Sequence, residues 1–459
     1  MARAKKEATL TPEERLQAAL VPDWEWPYKL PGNWCWTSWG ESGKFIAGSG
    51  FKNEYQGFTN YDIPFYKVSS LKTANETGYL YDNTNTIDDA VRKKLKAVLI
   101  PTNSLLFAKI GEAIRLNRRA ISTVPCCIDN NMMAFVPQIC QLKYAFDWSK
   151  GIDLYDFTNA TTVPAIRKTD LEKIPFPLAP LAEQQRIVDR IESLFSKLDE
   201  AKEKAQAVVD SFETRKAAIL HKAFTGELTA KWREEHGVRM ESWEYKTFEA
   251  IVENMQNGLA KRKGISGTPY VVLRLANLTD CGFNTDDLRE ILLDEKEQAN
   301  YELRPNDVIM IRVNGSKDNV GKQYLITNQH HWAFCDHIIR IQYSNRLLPQ
   351  YMIYFSRSKN YRIYVKENIV SSAGQNTISR KGMVGLVVPI PCLNEQFEIV
   401  HILDDLFSKE QQAKEAAEAV LDQIDLMKKS ILACAFRGEL GTNDPTEESA
   451  VELLKKIIQ

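Results

Sequence analysis

The sequence predicts an α+β fold: two globular α/β domains alternate with two long helices, which pair as an antiparallel coiled coil about a pseudo-two-fold internal repeat. Three observations predict it. One segment occurs twice, as LAEQQRIVDRIESLFSKLDEAKEKAQAVV from Leu181 and as LNEQFEIVHILDDLFSKEQQAKEAAEAVL from Leu393. A shift of 212 positions carries Glu183 onto Glu395, Phe195 onto Phe407, Ile219 onto Ile431 and Gly226 onto Gly438 without a gap. Both copies have helical periodicity, and the stretch before each is written in strand and turn residues. A repeat of this length sets the architecture before any local reading.

The bulk numbers bound the rest. At 459 residues the chain exceeds one ordinary domain, and length predicts roughly three. Hydrophobic content of 44% with 26% charged residues describes a globular protein with real cores. The net charge of −1 shows no overall basic balance, so a nucleic-acid role must rest on local patches. The start, MARAKKEATLTPEER, has no apolar core and does not read as a signal peptide. No run reaches the apolar length of a membrane span, which predicts no membrane partner. The eight cysteines lack a CxxC pair. They read as reduced, mostly buried thiols of a cytoplasmic protein.

The elements follow in order. Residues 1–30 form a polar extension and 31–180 the first globular domain, opening on Trp34, Trp36 and Trp39. Its runs IPFYKVSSL from Ile63 and NSLLFAKIG from Asn103 are short, apolar and bounded by turn residues, so they read as strands. The first long helix is placed at 181–228, then a linker at 229–242. The second domain, 243–392, opens on Trp243, Tyr245 and Phe248 at the same spacing and carries TPYVVLRLANL and NDVIMIRVNG. The second helix takes 393–440, and 441–459 is a tail with a short amphipathic helix. Proline precedes each long helix, where its missing N–H costs nothing.

The helices carry a seam. Ile187, Ile191, Leu194, Leu198, Ala201, Ala205, Val208, Phe212 and Ile219 step by four and three, interrupted by Arg215. Ile399, Leu403, Leu406, Ala413, Ala417, Val420, Ile424, Met427 and Ile431 repeat the pattern, interrupted by Glu410. This is coiled-coil spacing, which a plain helical hairpin would share. At about 1.5 Å per residue the stretch from Glu183 to Phe224 is about 60 Å long. Two antiparallel registers keep the seams in layers. One sets Ala205 against Ala413, Ala201 against Ala417 and Arg215 against Leu403. The preferred one sets Phe212 against Ala413, Val208 against Ala417, Ala201 against Ile424 and Arg215 against Glu410, because large then faces small and the two charges meet.

No catalytic constellation is visible. The chain lacks an Asn/Asp-Pro-Pro-aromatic string for a flipped base and a G-x-x-x-x-G-K-[ST] phosphate loop. GSGF at Gly48 reads as a turn. His330-His331 and Cys335-Asp336-His337 lack the second ligand pair of a zinc site. The expectation is a non-catalytic chain that binds no metal and no cofactor of its own.

Base readout needs Arg, Lys, Asn or Gln on loops or strands that fit a groove. The first domain offers Lys52 and Asn53 in GFKNEYQG, Lys109, and Arg115, Asn117, Arg118 and Arg119 in IRLNRR. The second offers Lys261, Arg262 and Lys263 in LAKRKG, and Arg312, Asn314, Ser316, Lys317 and Lys322 in IRVNGSKDNVGK. SSAGQNTISRK adds Gln375, Asn376 and Arg380. Each cluster could equally be a solvated basic face. Phe195, Phe407 and Phe436 flank the seam and would serve either as packing under the domains or as a partner-facing surface.

The stop before each helix, PLAPLAEQ at 177–184 and PCLNEQ at 391–396, together with A-F-x-G-E-L closing each at 223–228 and 435–440, resembles the specificity (S) subunit of type I restriction-modification systems. LTAKWREE after the first helix is also family-like, whereas the second helix continues GTNDP and lacks the Trp-Arg. The resemblance implies two target recognition domains, each reading half of a split, asymmetric site in double-stranded DNA. It implies two methyltransferase (M) subunits on the helices, which hold S-adenosylmethionine and methylate adenine at N6. Restriction (R) subunits, with ATP and Mg, would join through them. Half-sites on one face of DNA lie about one turn, roughly 34–36 Å, apart, a separation that the helix pair can hold. The rival readings are an S subunit without an ATP-driven partner, and a coiled-coil scaffold without DNA readout.

Overall fold

The computed structural model describes residues 11–159, 163–280 and 282–458. Residues 1–10 of the expected extension and Gln459 of the tail lie outside them. The chain divides into two units, one of Met1–Lys204 with Val420–Gln459 and one of Ala205–Ala419. Each holds one globular domain and a stretch of both long helices.

In the first unit the apolar run after Asn103 becomes the strand Leu105–Ala108, buried at every position. It is central in a five-stranded sheet ordered Gly43–Ala47, Met132–Pro137, Leu105–Ala108, Arg119–Ser122, Tyr79–Leu80. A smaller sheet sets Ile63–Tyr66 antiparallel to Thr86–Ile87 and parallel to Cys127–Ile128. The domain closes where Cys35–Ser38 pairs antiparallel with Pro175–Leu178, Trp36 facing Pro177. Trp39 is fully buried among Phe45, Phe107, Phe135 and Trp148, with ring centroids 4.9 to 5.6 Å away. Aromatic pairs in such geometry add about 0.5–1.5 kcal/mol each beyond their buried area.

The second unit has the same strand order with one strand fewer. Its larger sheet runs Val252–Asn257, Ile338–Tyr343, Val308–Ile311, Gln323–Leu325. In its smaller one Thr268–Leu273 lies antiparallel to Glu290–Leu293 and parallel to Trp332–Phe334. Glu244–Thr247 pairs with Val387–Ile390, Tyr245 facing Pro389. All four sequence-predicted strands therefore exist. The asparagine that opens the central strand has a left-handed backbone in both units, φ 61° at Asn103 and 71° at Asn306. Asparagine tolerates that conformation better than most residues.

The second long helix is continuous over Leu393–Phe436, 44 residues. The first is interrupted: Leu181–Asp210 and Phe212–Phe224 meet at Ser211. There the Ser211 hydroxyl donates back to the Ala207 carbonyl (2.5 Å) and the Arg215 guanidinium to that of Val208 (3.2 Å). A serine hydroxyl that bonds the carbonyl four residues back in this way bends a helix. Gly226 and Gly438 follow the two helices at φ 84° and 75°. Both conformations favour glycine, and at the second a Cβ would also lie 2.3 Å from the rigid Pro31 ring.

The repeated Glu-Gln pair is a fastening. Gln184, fully buried, accepts from the Gln141 amide (2.7 Å) and donates to the Ala179 carbonyl (2.8 Å). Gln396 likewise accepts from the Leu348 amide (2.8 Å) and donates to Pro391 (2.9 Å). Each therefore ties a helix start to its own domain. The buried glutamates reach further. Glu183 accepts from the Thr442 hydroxyl (2.7 Å), beyond the second helix, and from Arg186 (2.8 Å). Glu395 accepts from Thr229 (2.6 Å), beyond the first helix, from Arg233 (2.5 Å) and from the Trp243 indole (2.9 Å). The Trp-Arg missing after the second helix is thus replaced: Arg186, on the helix itself, compensates Glu183 and is shared with Glu447 (2.8 Å). Among the described residues no helix is long and apolar enough to cross a membrane.

Candidate nucleic-acid interface

In the first unit Lys52 and Asn53 are exposed, on a turn anchored by Phe51 stacking on Phe65 at 3.9 Å. A cleft beside them is also lined by Lys94, Lys96 and Asn130. Lys94 and Lys96 escaped the sequence reading. Their signal was the run RKKLK from Arg92, which ends the short helix Asp89–Lys94. Asp89 takes up Arg92 and Lys93 (2.6 and 2.7 Å), leaving Lys94 and Lys96 to the cleft.

The second cluster of this unit needs correction. Arg119 is buried, and its guanidinium donates to Asn117 (2.7 Å) and to the carbonyls of Arg118 and Ser149 (both 3.1 Å). Burial pulls its pKa down to about 9. It opens the strand Arg119–Ser122, buried at all four positions, and belongs to the core. Asn117 is a turn residue at φ 47°, with its amide bound to the Ile152 carbonyl (2.9 Å). Lys109 is half-buried, and desolvation lowers its pKa. Arg115 is exposed but lies over the Tyr155 ring (3.5 Å) and pairs with Glu112 (2.9 Å). Arg118 is exposed, and no carboxylate pairs with it among the described residues.

In the second unit Lys261 is held by Glu297 (2.8 Å) and Arg262 binds both oxygens of Asp336 (2.9 and 3.1 Å). Lys263 stays exposed. The cleft beside them adds Arg274 and Arg289, which the sequence reading also passed over. Cys335, Asp336 and His337 place ligand atoms within 4.8 Å of one another. Arg262 already occupies that carboxylate, and burial raises the Cys335 thiol pKa, so the trio does not fit a metal.

Two clusters distant in sequence come together. Val313–Asn314, Gln375–Thr377 and Val370–Ser372 form one three-stranded sheet, with Asn314 opposite Asn376. Asn376 is buried: it donates to the Gly315 carbonyl (2.8 Å) and accepts from Ser371 (2.7 Å). It therefore fastens the two turns and is not free to read a base. Asn314 likewise accepts from the Ser316 amide (2.9 Å). What projects is Ser316, Lys317 and Gln375, with Arg380 exposed beyond them. Arg312 is half-buried against the Asp336 carbonyl (3.4 Å) and Lys322 pairs with Asp280. Within the three-stranded sheet Val370–Ser372 and Gln375–Thr377 form an antiparallel two-stranded ribbon, one of the elements that a major groove admits.

On the helices Arg215 meets Glu410 at 2.7 Å, as the preferred register requires. Phe212, Ala417 and Ile424 are buried, and Leu198 and Val208 partly so. The Phe212–Ala413 pairing is wrong. Ala413 is exposed, and Lys414 lies over the Phe212 ring at 4.9 Å. Likewise Val420 and Met427 are exposed while Leu421 and Lys428 turn inward, Lys428 lying over the Phe195 ring (5.1 Å) and pairing with Asp199. A lysine stem covers a ring while its ammonium reaches a carboxylate or solvent. Alanine cannot do this, so the seam runs one residue later at alternate positions. Phe195 and Phe407 pack against the cores, and Phe436 is buried in one.

Comparison with known proteins places these surfaces in context. Residues 40–209 match the family described as Type I restriction modification DNA specificity domain. The chain is 33% identical over 303 residues to the type I restriction enzyme StySPI specificity subunit of Salmonella potsdam, covering 64% of this chain and 65% of that one. It is 30% identical over 305 residues to the EcoKI specificity subunit of Escherichia coli K12, with 64% and 65% covered. The chain thus matches just under two thirds of the length of these relatives. Its fold resembles the HsdS subunit from Thermoanaerobacter tengcongensis, with a TM-score of 0.63, 18% identity and 91% and 100% of the two chains covered. A chain from a structure describing complex assembly and conformational transition of the type I R-M system gives 0.60 at 18% identity, covering 90% and 100%.

Proposed function

We infer, from a sequence and a fold that both group this chain with the specificity subunits of type I restriction-modification systems, that it selects the DNA sequence on which such a system acts. Each globular domain reads one half of a split, asymmetric site in double-stranded DNA. The long helices pair as a coiled coil, fix the unread spacer and carry two adenine-N6 methyltransferase subunits, through which restriction subunits join in the cytoplasm. The chain itself is non-catalytic: S-adenosylmethionine belongs to the methyltransferase, ATP and Mg to the restriction subunit.

One observation carries the reading. The two domains share a strand order yet present different side chains, Lys52, Lys94 and Lys96 in one and Lys263, Lys317 and Gln375 in the other. A duplicated frame with unlike tips suits a target whose halves differ. Phosphate contacts from the lysines would position the duplex, and Gln375 and Asn53 could exchange paired hydrogen bonds with an adenine edge. Val420 and Met427, one heptad apart and exposed on the second helix, offer apolar surface to a partner.

The test is selection from a randomised duplex pool by the full chain with its methyltransferase subunit. Enrichment of one two-part motif with a fixed gap is expected. Equal retention of all sequences, or of none, would leave only a protein scaffold.

A further inference from the structure

Within the second unit a cleft of about 370 Å3 opens among the helix Phe212–Phe224, the strand Gln323–Leu325, the end of the helix Pro349–Phe355 and Phe407. Its charge is lopsided: Lys216, Lys322, Arg357 and Arg362 stand against Glu213 and Asp280. Glu213 is a helical neighbour of Lys216, at 3.9 Å. Asp280 is the other anion. Lys322 pairs with it at 2.5 Å and, against the opposing effect of partial burial, holds its carboxyl below the ordinary range, with Arg357 and Lys216 adding to the effect. Lys322 alone contacts this carboxylate, while Lys216 and Arg357 line the same cleft.

The other two guanidinium interactions do not restore the balance. Arg362 spends its fork on the carbonyls of Val320 (2.9 Å) and Asp318 (2.8 Å), which leave its charge in place. Arg357 is exposed beside the Tyr354 ring (5.8 Å) and pairs with no carboxylate among the described residues. Like charges lining one cleft repel each other. A second anion entering the cleft would relieve that repulsion. A guanidinium fork with two ammonium groups is the donor set that suits phosphate oxygens.

We propose that this cleft binds a phosphate group, with Lys216, Lys322 and Arg357 as its donors and the exposed Asp280 carboxylate as the protein's own anion that competes for them. The proposal rests on this geometry and not on the DNA reading. The phosphate comes either from a DNA backbone or from a free phosphate-bearing molecule. Lys322 is accordingly a phosphate ligand and not a reader of bases.

Calorimetric titration of the full chain, in complex with its methyltransferase if required for solubility, with pyrophosphate at low salt tests it. Saturable binding is expected, weakened at least ten-fold by Arg357→Ala, an exposed position whose loss leaves the fold intact. Asp280→Asn should tighten binding, because it removes the competitor while keeping shape. No pyrophosphate binding, binding indifferent to Arg357→Ala, or weaker binding in Asp280→Asn each overturns the proposal. If the predicted pattern holds, salt titration on a non-specific duplex separates the sources. A log–log slope shallower by about one in Arg357→Ala assigns the phosphate to DNA. An unchanged slope assigns it to a free ligand. A chain that failed to select DNA sequences would still give the pyrophosphate result.

Discussion

Replacing Arg233 with methionine tests whether the repeated glutamate is a fastening. Glu395 has no solvent exposure, and the Arg233 side chain is only 10% exposed. Arg233 donates to Glu395 (2.5 Å), to the Thr229 hydroxyl (3.0 Å) and to the Gly226 carbonyl. Methionine fills the volume but leaves a buried carboxylate with two neutral donors, Thr229 and Trp243. Breaking a buried pair from one side costs about 3–5 kcal/mol. Arg186→Met, in the other unit, should cost less than half of that, because Arg186 is 38% exposed and solvent screens the loss. Adding Glu395→Leu to Arg233→Met should recover most of the stability, since removing both charges leaves nothing uncompensated. Urea unfolding followed by circular dichroism reads these as midpoint shifts at constant slope. An Arg233→Met loss below about 1 kcal/mol, or a double variant worse than the single, would refute the reasoning.

The remaining expectations concern charge and register. Arg118→Ala should reduce the salt dependence of DNA binding by about one unit of slope with little effect on stability, whereas Arg119→Ala should destabilise the fold; equal effects on both readouts would undo the reassignment of Arg119 to the core. Burial raises the Asp147 carboxyl to about 6, against the opposing pull of Lys143 and Lys150, and one of its oxygens lacks a partner. The folded state then binds that proton more tightly than the unfolded chain, so stability falls as pH rises from about 4 through 6; Asp147→Asn should raise the melting temperature at pH 7.5 and not at pH 4. Cysteines at Val208 and Ala417 should crosslink readily, and those at Ala205 and Ala413 should not, since Arg215 meets Glu410 and Ala413 faces out.

Elements whose pattern is local were legible in the sequence. The strands from Ile63, Asn103, Thr268 and Asn306 announce themselves by short apolar runs, and the glycines after the helices by their place in the repeat. Arg215 and Glu410 could be matched because each breaks an otherwise apolar series. The errors came where spacing does not determine orientation. Ala413, Val420 and Met427 fit the heptad as well as their neighbours do, and only the rings of Phe212 and Phe195 select Lys414 and Lys428 instead. Arg119 sits in a basic run and at the head of a buried strand, and composition reports the first while the AIS that follows it reports the second. Lys94 and Lys96 join Lys52 only through the fold, across more than 40 residues of chain. Asn376 carries the residue type of a base reader but spends both ends of its amide on Gly315 and Ser371.

The most direct measurement is a genome-wide map of N6-methyladenine in the source cell with this gene intact and deleted. The account predicts that one asymmetric two-part motif, with a fixed gap, loses its methylation on deletion and regains it on complementation. An unchanged map, in cells whose methyltransferase subunit is demonstrably active, would contradict it.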